Sequence, residues 1–172
     1  MVERSGLVTV GGKPVTLLGP ELKVGDKAPD ATLTANDLSA VKLSDHSGKV
    51  LIVSSVPSLD TAVCDVETRR FNTEAAGLGD GVRVLTVSMD LPFAQKRWCG
   101  AAGVERVLTL SDHREAEFGL AWGVLMKGSR LLARAVFVVD REGVIRYIEL
   151  VGEVGREPDY EAALAVAREL AG

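Results

Sequence analysis

VLIVSSVPSLDTAVC, residues 50–64, decides the fold. Val50 to Val56 is a continuous apolar and β-branched run, the pattern of a strand covered on both faces. Pro57 ends it, and Ser58-Leu59-Asp60 makes a short loop. Asp60 or Thr61 then stands where a helix needs its cap, and the helix is predicted to run from Thr61 to about Leu78. Val63, Val66, Phe71, Ala75 and Leu78 define its apolar face. Cys64 falls in the first turn, just beyond the carboxyl end of the strand. Open α/β sheets place their sites at such ends, and the free N–H groups of a helix start favour an anion. In such surroundings a thiol ionises below its ordinary value of ~8.5. Thr61, three residues earlier, either caps the helix or aims its hydroxyl at the sulfur or at a substrate oxygen beside it. On the residues alone, Cys64 is a reactive thiol or a small core side chain.

Before this stretch, Val8–Val10 and Val15–Leu17 flank Gly11-Gly12 as a hairpin, with Pro14 pointing to an edge position. Ala31–Thr34 and Val41–Leu43 read as short strands. After it, Val82–Ser88 is a second buried strand, Phe93–Ala102 a helix ending at Gly103, Val107–Leu110 a strand and Arg114–Leu120 a short helix. Ala135–Val139 and Val144–Val151 are strands joined by the turn Asp140-Arg141-Glu142-Gly143, and Pro158 opens the last helix. Strands and helices alternate through the middle, and a strand pair precedes the closing helix. This is an α/β order with a mixed sheet flanked by helices. It fits a thioredoxin-like sheet with an added N-terminal β-hairpin, as one domain over residues 1–172 with the hairpin in 1–18.

Composition sets the outer bounds. A chain of 172 residues, 47% hydrophobic and 26% charged, is long enough for one self-supporting core. Twenty basic against 24 acidic side chains leave a net charge of −4, so nucleic acid is not expected as a partner. No apolar run approaches the ~20 residues of a membrane span, and Met-Val-Glu-Arg-Ser-Gly lacks a signal-peptide core, so the expected location is the cytoplasm. The two cysteines, Cys64 and Cys99, do not form the CxxC pair of a dithiol oxidoreductase. His46 and His113, both expected in surface loops, complete a Cys2His2 zinc set by count, but no ligand spacing supports it. Ser54 and Ser55 lack the G-x-S-x-G setting of a hydrolase nucleophile. A thiol enzyme and a non-catalytic binding module with structural cysteines both remain.

Pro57-Ser58-Leu59-Asp60-Thr61-Ala62-Val63-Cys64 matches the PxxxTxxC signature of peroxiredoxins, and Val24 to Asp30 looks like their entry segment. Pro57–Asn72, Asp90–Gln95 with Trp98-Cys99-Gly100, Leu131–Asp140 and Glu157–Leu164 together resemble the thiol peroxidase, or atypical two-cysteine, subfamily. Trp98 stands where that family usually has phenylalanine. The resemblance implies that Cys64 is the peroxidatic cysteine, with Pro57 and Thr61 in its site, and that Cys99 resolves it through an intramolecular disulfide. It matches Arg134 to the active-site arginine, a residue otherwise readable as a charge at a strand edge. It implies hydrogen peroxide and alkyl hydroperoxides as substrates, thioredoxin as reductant, a homodimer, and no cofactor or metal. Asp60 and Arg130 are expected at the surface, outside the chemistry. With the cysteines on separate helices, the reduced protein is expected to hold the two thiols apart.

Overall fold

The run from residue 50 lies at the centre of a seven-stranded mixed sheet. The computed structural model describes residues 1–103 and 106–172. In chain order the strands are β1 (Glu3–Val10), β2 (Lys13–Leu18), β3 (Thr32–Thr34), β4 (Ala40–Lys42), β5 (Val50–Ser55), β6 (Val82–Ser88), β7 (Val107–Ser111), β8 (Leu125–Met126), β9 (Ala135–Val139) and β10 (Ile145–Leu150). The helices are α1 (Ala62–Ala75), α2 (Pro92–Ala102), α3 (Glu117–Ala121) and α4 (Tyr160–Ala171). The main sheet runs β10-β9-β5-β6-β7-β3-β4. β5, β6 and β7 are parallel, while β9 is antiparallel to both β5 and β10.

Alternation along the strands builds two cores. Leu51 and Val53 of β5 and Ala135, Phe137 and Val139 of β9 pack with Phe118, Trp122 and the hairpin residues Val8 and Leu17. Val50, Ile52, Val136 and Val138 face Phe71 of α1 and Tyr160, Ala163, Leu164 and Ala167 of α4. Both faces of the central strands are covered, which is why their sequences read as unbroken apolar runs. The expected mixed α/β sheet is therefore present.

The differences lie at edges and faces. The hairpin spans Glu3–Leu18 and joins β8 in its own three-stranded sheet. β8 reaches only Leu17 and Leu18, so Pro14, opposite Thr9, meets no third strand and its missing N–H is harmless. α1 stops at Ala75 instead of Leu78, and Val66 is half exposed. Its buried stripe is Cys64, Glu67, Thr68, Phe71 and Ala75, a true helical spacing that hydrophobicity alone hides because Glu67 is charged. Leu43 belongs to a 3-10 turn, Leu43–His46, and not to β4. α3 starts three residues later than expected because Asp112 takes the N–H groups of Phe118 and Gly119. His46 and His113 are half-buried rather than surface residues, His46 in the 3-10 turn and His113 bonded at Nδ1 to Ser111.

Candidate active site

At the carboxyl end of β5 the chain turns through buried Pro57 into α1. Asp90, just after β6, fixes this turn: its carboxylate accepts from Ser58 Oγ at 2.7 Å and from the Leu59 N–H at 2.9 Å. Ser88 Oγ donates to the same carboxylate at 2.7 Å. The loop that aims the helix start is thus tied to the neighbouring strand as well as to β5.

Cys64 lies in the first turn of α1 and is fully buried, among Val56 and Leu59 with Trp98 packed against them. Its sulfur accepts a hydrogen bond from Arg134 Nη2 at 3.2 Å. Register explains the meeting. Ser55 pairs with Ala135, so Arg134 stands one step beyond the last β5–β9 pair, level with the turn that starts α1. Arg134 is 1% exposed, and its fork is fully engaged. Nε donates to the Val154 carbonyl at 2.9 Å and Nη1 to Glu67 Oε2 at 2.6 Å. Ser54 Oγ donates to the other Glu67 oxygen at 3.0 Å. One cation therefore serves a sulfur and a carboxylate, all out of water.

Burial pushes the Glu67 carboxyl up to about 7, against the pull of Arg134 and the Ser54 hydrogen bond. Arg134 itself stays charged: burial opposes its charge, but Glu67 and Cys64 beside it more than compensate.

Thr61 takes the capping position with its backbone and not with its side chain. It is the N-cap residue of α1, yet its side chain makes no capping bond; the exposed hydroxyl donates to the Ser58 carbonyl at 2.9 Å. Cys99 is half-buried within α2, and both cysteines are free thiols. Its sulfur lies 3.3 Å from Thr109 Oγ1, which donates to Asn36 Oδ1 at 3.1 Å. That commits the Thr109 hydrogen, so the Cys99 S–H is the donor to Thr109. The structure brings Cys64 and Arg134 into contact, sets Pro57 and Thr61 at the turn beside them, and holds Cys99 against β7. Asp60 and Arg130 are exposed. Among the described residues, no three His, Cys, Asp or Glu side chains gather as metal ligands.

Glu67 and Asp90 carry no site role in the sequence reading, and Ser54 enters it only as a rejected hydrolase nucleophile. Only Glu67 left a usable signal: a carboxylate one turn from Cys64 on the stripe that carries Phe71.

Residues 23–164 match the family model described as Redoxin. The chain is similar to the thiol peroxidase of Halalkalibacterium halodurans, 59% identical over 94% of this chain and 96% of the relative. It is also similar to the thiol peroxidase of Oceanobacillus iheyensis, 61% identical over 92% and 96%. Among solved structures, a peroxiredoxin-like protein from Aquifex aeolicus superposes with a TM-score of 0.90 at 44% identity, covering 96% of this chain and 98% of its own.

Proposed function

This chain belongs to the redoxin family and is a thiol-dependent peroxidase, and we propose that its reaction runs through Cys64 and is completed by Cys99. The observation that supports this most directly is the Arg134 guanidinium on the buried Cys64 sulfur. The Cys64 thiolate attacks one oxygen of a hydroperoxide, an S–O bond forms, and the O–O bond breaks. The leaving oxygen takes a proton and departs as water or an alcohol, and Cys64 is left as a sulfenic acid. Negative charge spreads over sulfur and both oxygens in the transition state. Donors already in place are worth most there. Arg134 and the Cys64 backbone N–H supply them, joined by the Thr61 hydroxyl once it turns from the Ser58 carbonyl. Pro57 shapes the turn that presents these groups.

The Cys99 thiol then condenses with the sulfenic acid, forming the disulfide and releasing water. A dithiol protein of the thioredoxin type reduces the disulfide and is itself oxidised. Hydrogen peroxide and small alkyl hydroperoxides are the substrates in this reading. The protein acts as one domain over residues 1–172, as a homodimer, in the reducing cytoplasm, where two unpaired thiols persist. No helix among the described residues is long and apolar enough to cross a membrane.

The test is peroxide consumption coupled to thioredoxin, with each cysteine replaced by serine. Cys64→Ser should consume no peroxide. Cys99→Ser should consume about one equivalent per chain and then stall, since the first step needs only one sulfur. Sustained turnover by Cys64→Ser would overturn the assignment of the attacking sulfur.

A further inference from the structure

Each cysteine has a neighbour in sequence that ties its helix to the other. Asp65 follows Cys64 in α1, and Trp98 precedes Cys99 in α2. Trp98 Nε1 donates to Asp65 Oδ1 at 2.8 Å, and Arg69 Nε donates to Asp65 Oδ2 at 2.9 Å. The Arg69 guanidinium lies 5.7 Å from the centre of the Trp98 ring, and its Nη1 donates to the Ala102 carbonyl in the last turn of α2 at 3.2 Å. The Trp98 ring also packs against the cluster of Val56, Leu59 and Cys64. The link needs an indole: a phenylalanine at position 98 would keep the ring contact and lose the N–H.

The two sulfurs meanwhile point to different strands. Cys64 bonds to Arg134, just before β9, and Cys99 to Thr109 in β7. Both sulfurs are free thiols held by these separate partners. Closing a bond between them takes the Cys99 S–H off Thr109 and moves α2 against α1, across the surface where Asp65, Arg69 and Trp98 interlock.

We propose that these three side chains form a clamp that sets how fast the Cys64 sulfenic acid is closed by Cys99. They are positioning residues for the second step, and the proposal rests on the two-cysteine reading above. In that step the Cys99 sulfur attacks the Cys64 sulfur, the S–S bond forms, the S–O bond breaks, and the hydroxyl leaves as water with the Cys99 proton. While the clamp is shut the sulfenic acid waits. A second hydroperoxide can then oxidise it to sulfinic acid and is itself reduced to alcohol or water. The clamp thereby sets the ratio of recycling to overoxidation.

Rapid-quench oxidation with hydrogen peroxide, followed by thiol alkylation and mass spectrometry of the Cys64 peptide, reads both steps. Trp98→Phe should leave the first step within about twofold and speed disulfide closure by about five- to tenfold, the scale of one charge-assisted, half-exposed hydrogen bond. The sulfinic fraction at excess peroxide should fall in the same proportion. Asp65→Ala should act in the same direction. The double variant should close no faster than the quicker single one, because both changes open one device. Cys99→Ser is run alongside. Unchanged or slower closure in Trp98→Phe and Asp65→Ala, with Cys99→Ser stalled at the sulfenic acid, overturns the clamp alone. Full reductant-driven turnover in Cys99→Ser overturns the two-cysteine reading and the clamp with it.

Discussion

Arg134 is the residue on which the site's electrostatics turn. Its side chain is buried between a carboxylate and a sulfur, and a buried ion pair is costly to break because the partner left behind has no water to turn to. Arg134→Met should therefore do two separable things. It should slow peroxide reduction by ~10²–10³, as loss of a transition-state donor does. It should also destabilise the fold by about 1–3 kcal/mol, because the buried Glu67 carboxyl, already at about 7 beside Arg134, takes up a proton and loses its donor. Adding Glu67→Gln removes the need for that proton uptake while keeping an acceptor for Ser54. Urea midpoints of the double variant should recover much of the stability, while single-turnover rates should stay low. A double variant with its rate restored would show that Arg134 serves only to neutralise Glu67.

At the scale of elements, the hairpin and the site meet in the segment after β10. Glu153 accepts the N–H of Gly12 at 2.8 Å and of Gly155 at 2.9 Å, and the Thr9 hydroxyl at 2.9 Å. Gly11 and Gly12 both have positive φ, the backbone a two-residue hairpin turn demands. That turn leaves the Gly12 N–H pointing at the carboxylate. Next along the chain, the Val154 N–H donates to the Thr9 carbonyl at 3.0 Å, and the Val154 carbonyl receives Arg134 Nε. The hairpin tip thus rests on the segment that steadies the arginine. These hydrogen bonds, led by those from Gly155 and Gly12, hold the Glu153 carboxyl down at about 2. A depressed carboxylate contributes stability above its unfolded value of 4.5 and loses it as the pH falls through about 2. The hairpin tip of the wild-type protein should loosen over that acid window. Glu153→Gln should be loose already at neutral pH and should lower peroxidase activity by about two- to threefold through Val154. Hydrogen exchange at Gly11 and Gly12, corrected for intrinsic rates, is the measurement. Equal protection in the two proteins at neutral pH would show that backbone pairing alone holds the tip.

Across the whole molecule, oxidation has to work against the sheet. The strands contacted by the two sulfurs' partners are separated by β5 and β6, and those central strands cannot move without exposing both cores. Movement is therefore confined to the start of α1 and the second half of α2. Disulfide formation should strip hydrogen-exchange protection from Thr61–Asp65 and Lys96–Gly100, while β5 and β9 keep theirs. The resulting bond should be readily reduced, since strain raises a disulfide's potential. Identical protection in both redox states would mean that the thiols pair without unwinding either helix.

The elements themselves were legible in the sequence because their signals are local. An unbroken apolar run marks a strand covered on both faces, Pro57 marks its end, and Cys64 falls in the next first turn whatever the rest of the chain does. Helix ends were less legible: α1 loses its last turn to the loop that follows, and its buried stripe carries a carboxylate that a hydrophobicity count rejects. What no local signal contains is which distant residue arrives beside which. Glu67 reaches Arg134 because β9 pairs antiparallel with β5 in the register of Ser55 with Ala135. Trp98 reaches Asp65 because α1 and α2 follow adjacent parallel strands and lie side by side. Thr61 turns its hydroxyl to Ser58 once the loop is pinned by Asp90. Periodicity and turn chemistry act over a few residues, so sequence alone could place Cys64 in the first turn of a helix beyond a buried strand. Sheet order and register act over the whole chain, and they alone set the charge beside Cys64 and the contact of Trp98 with Asp65.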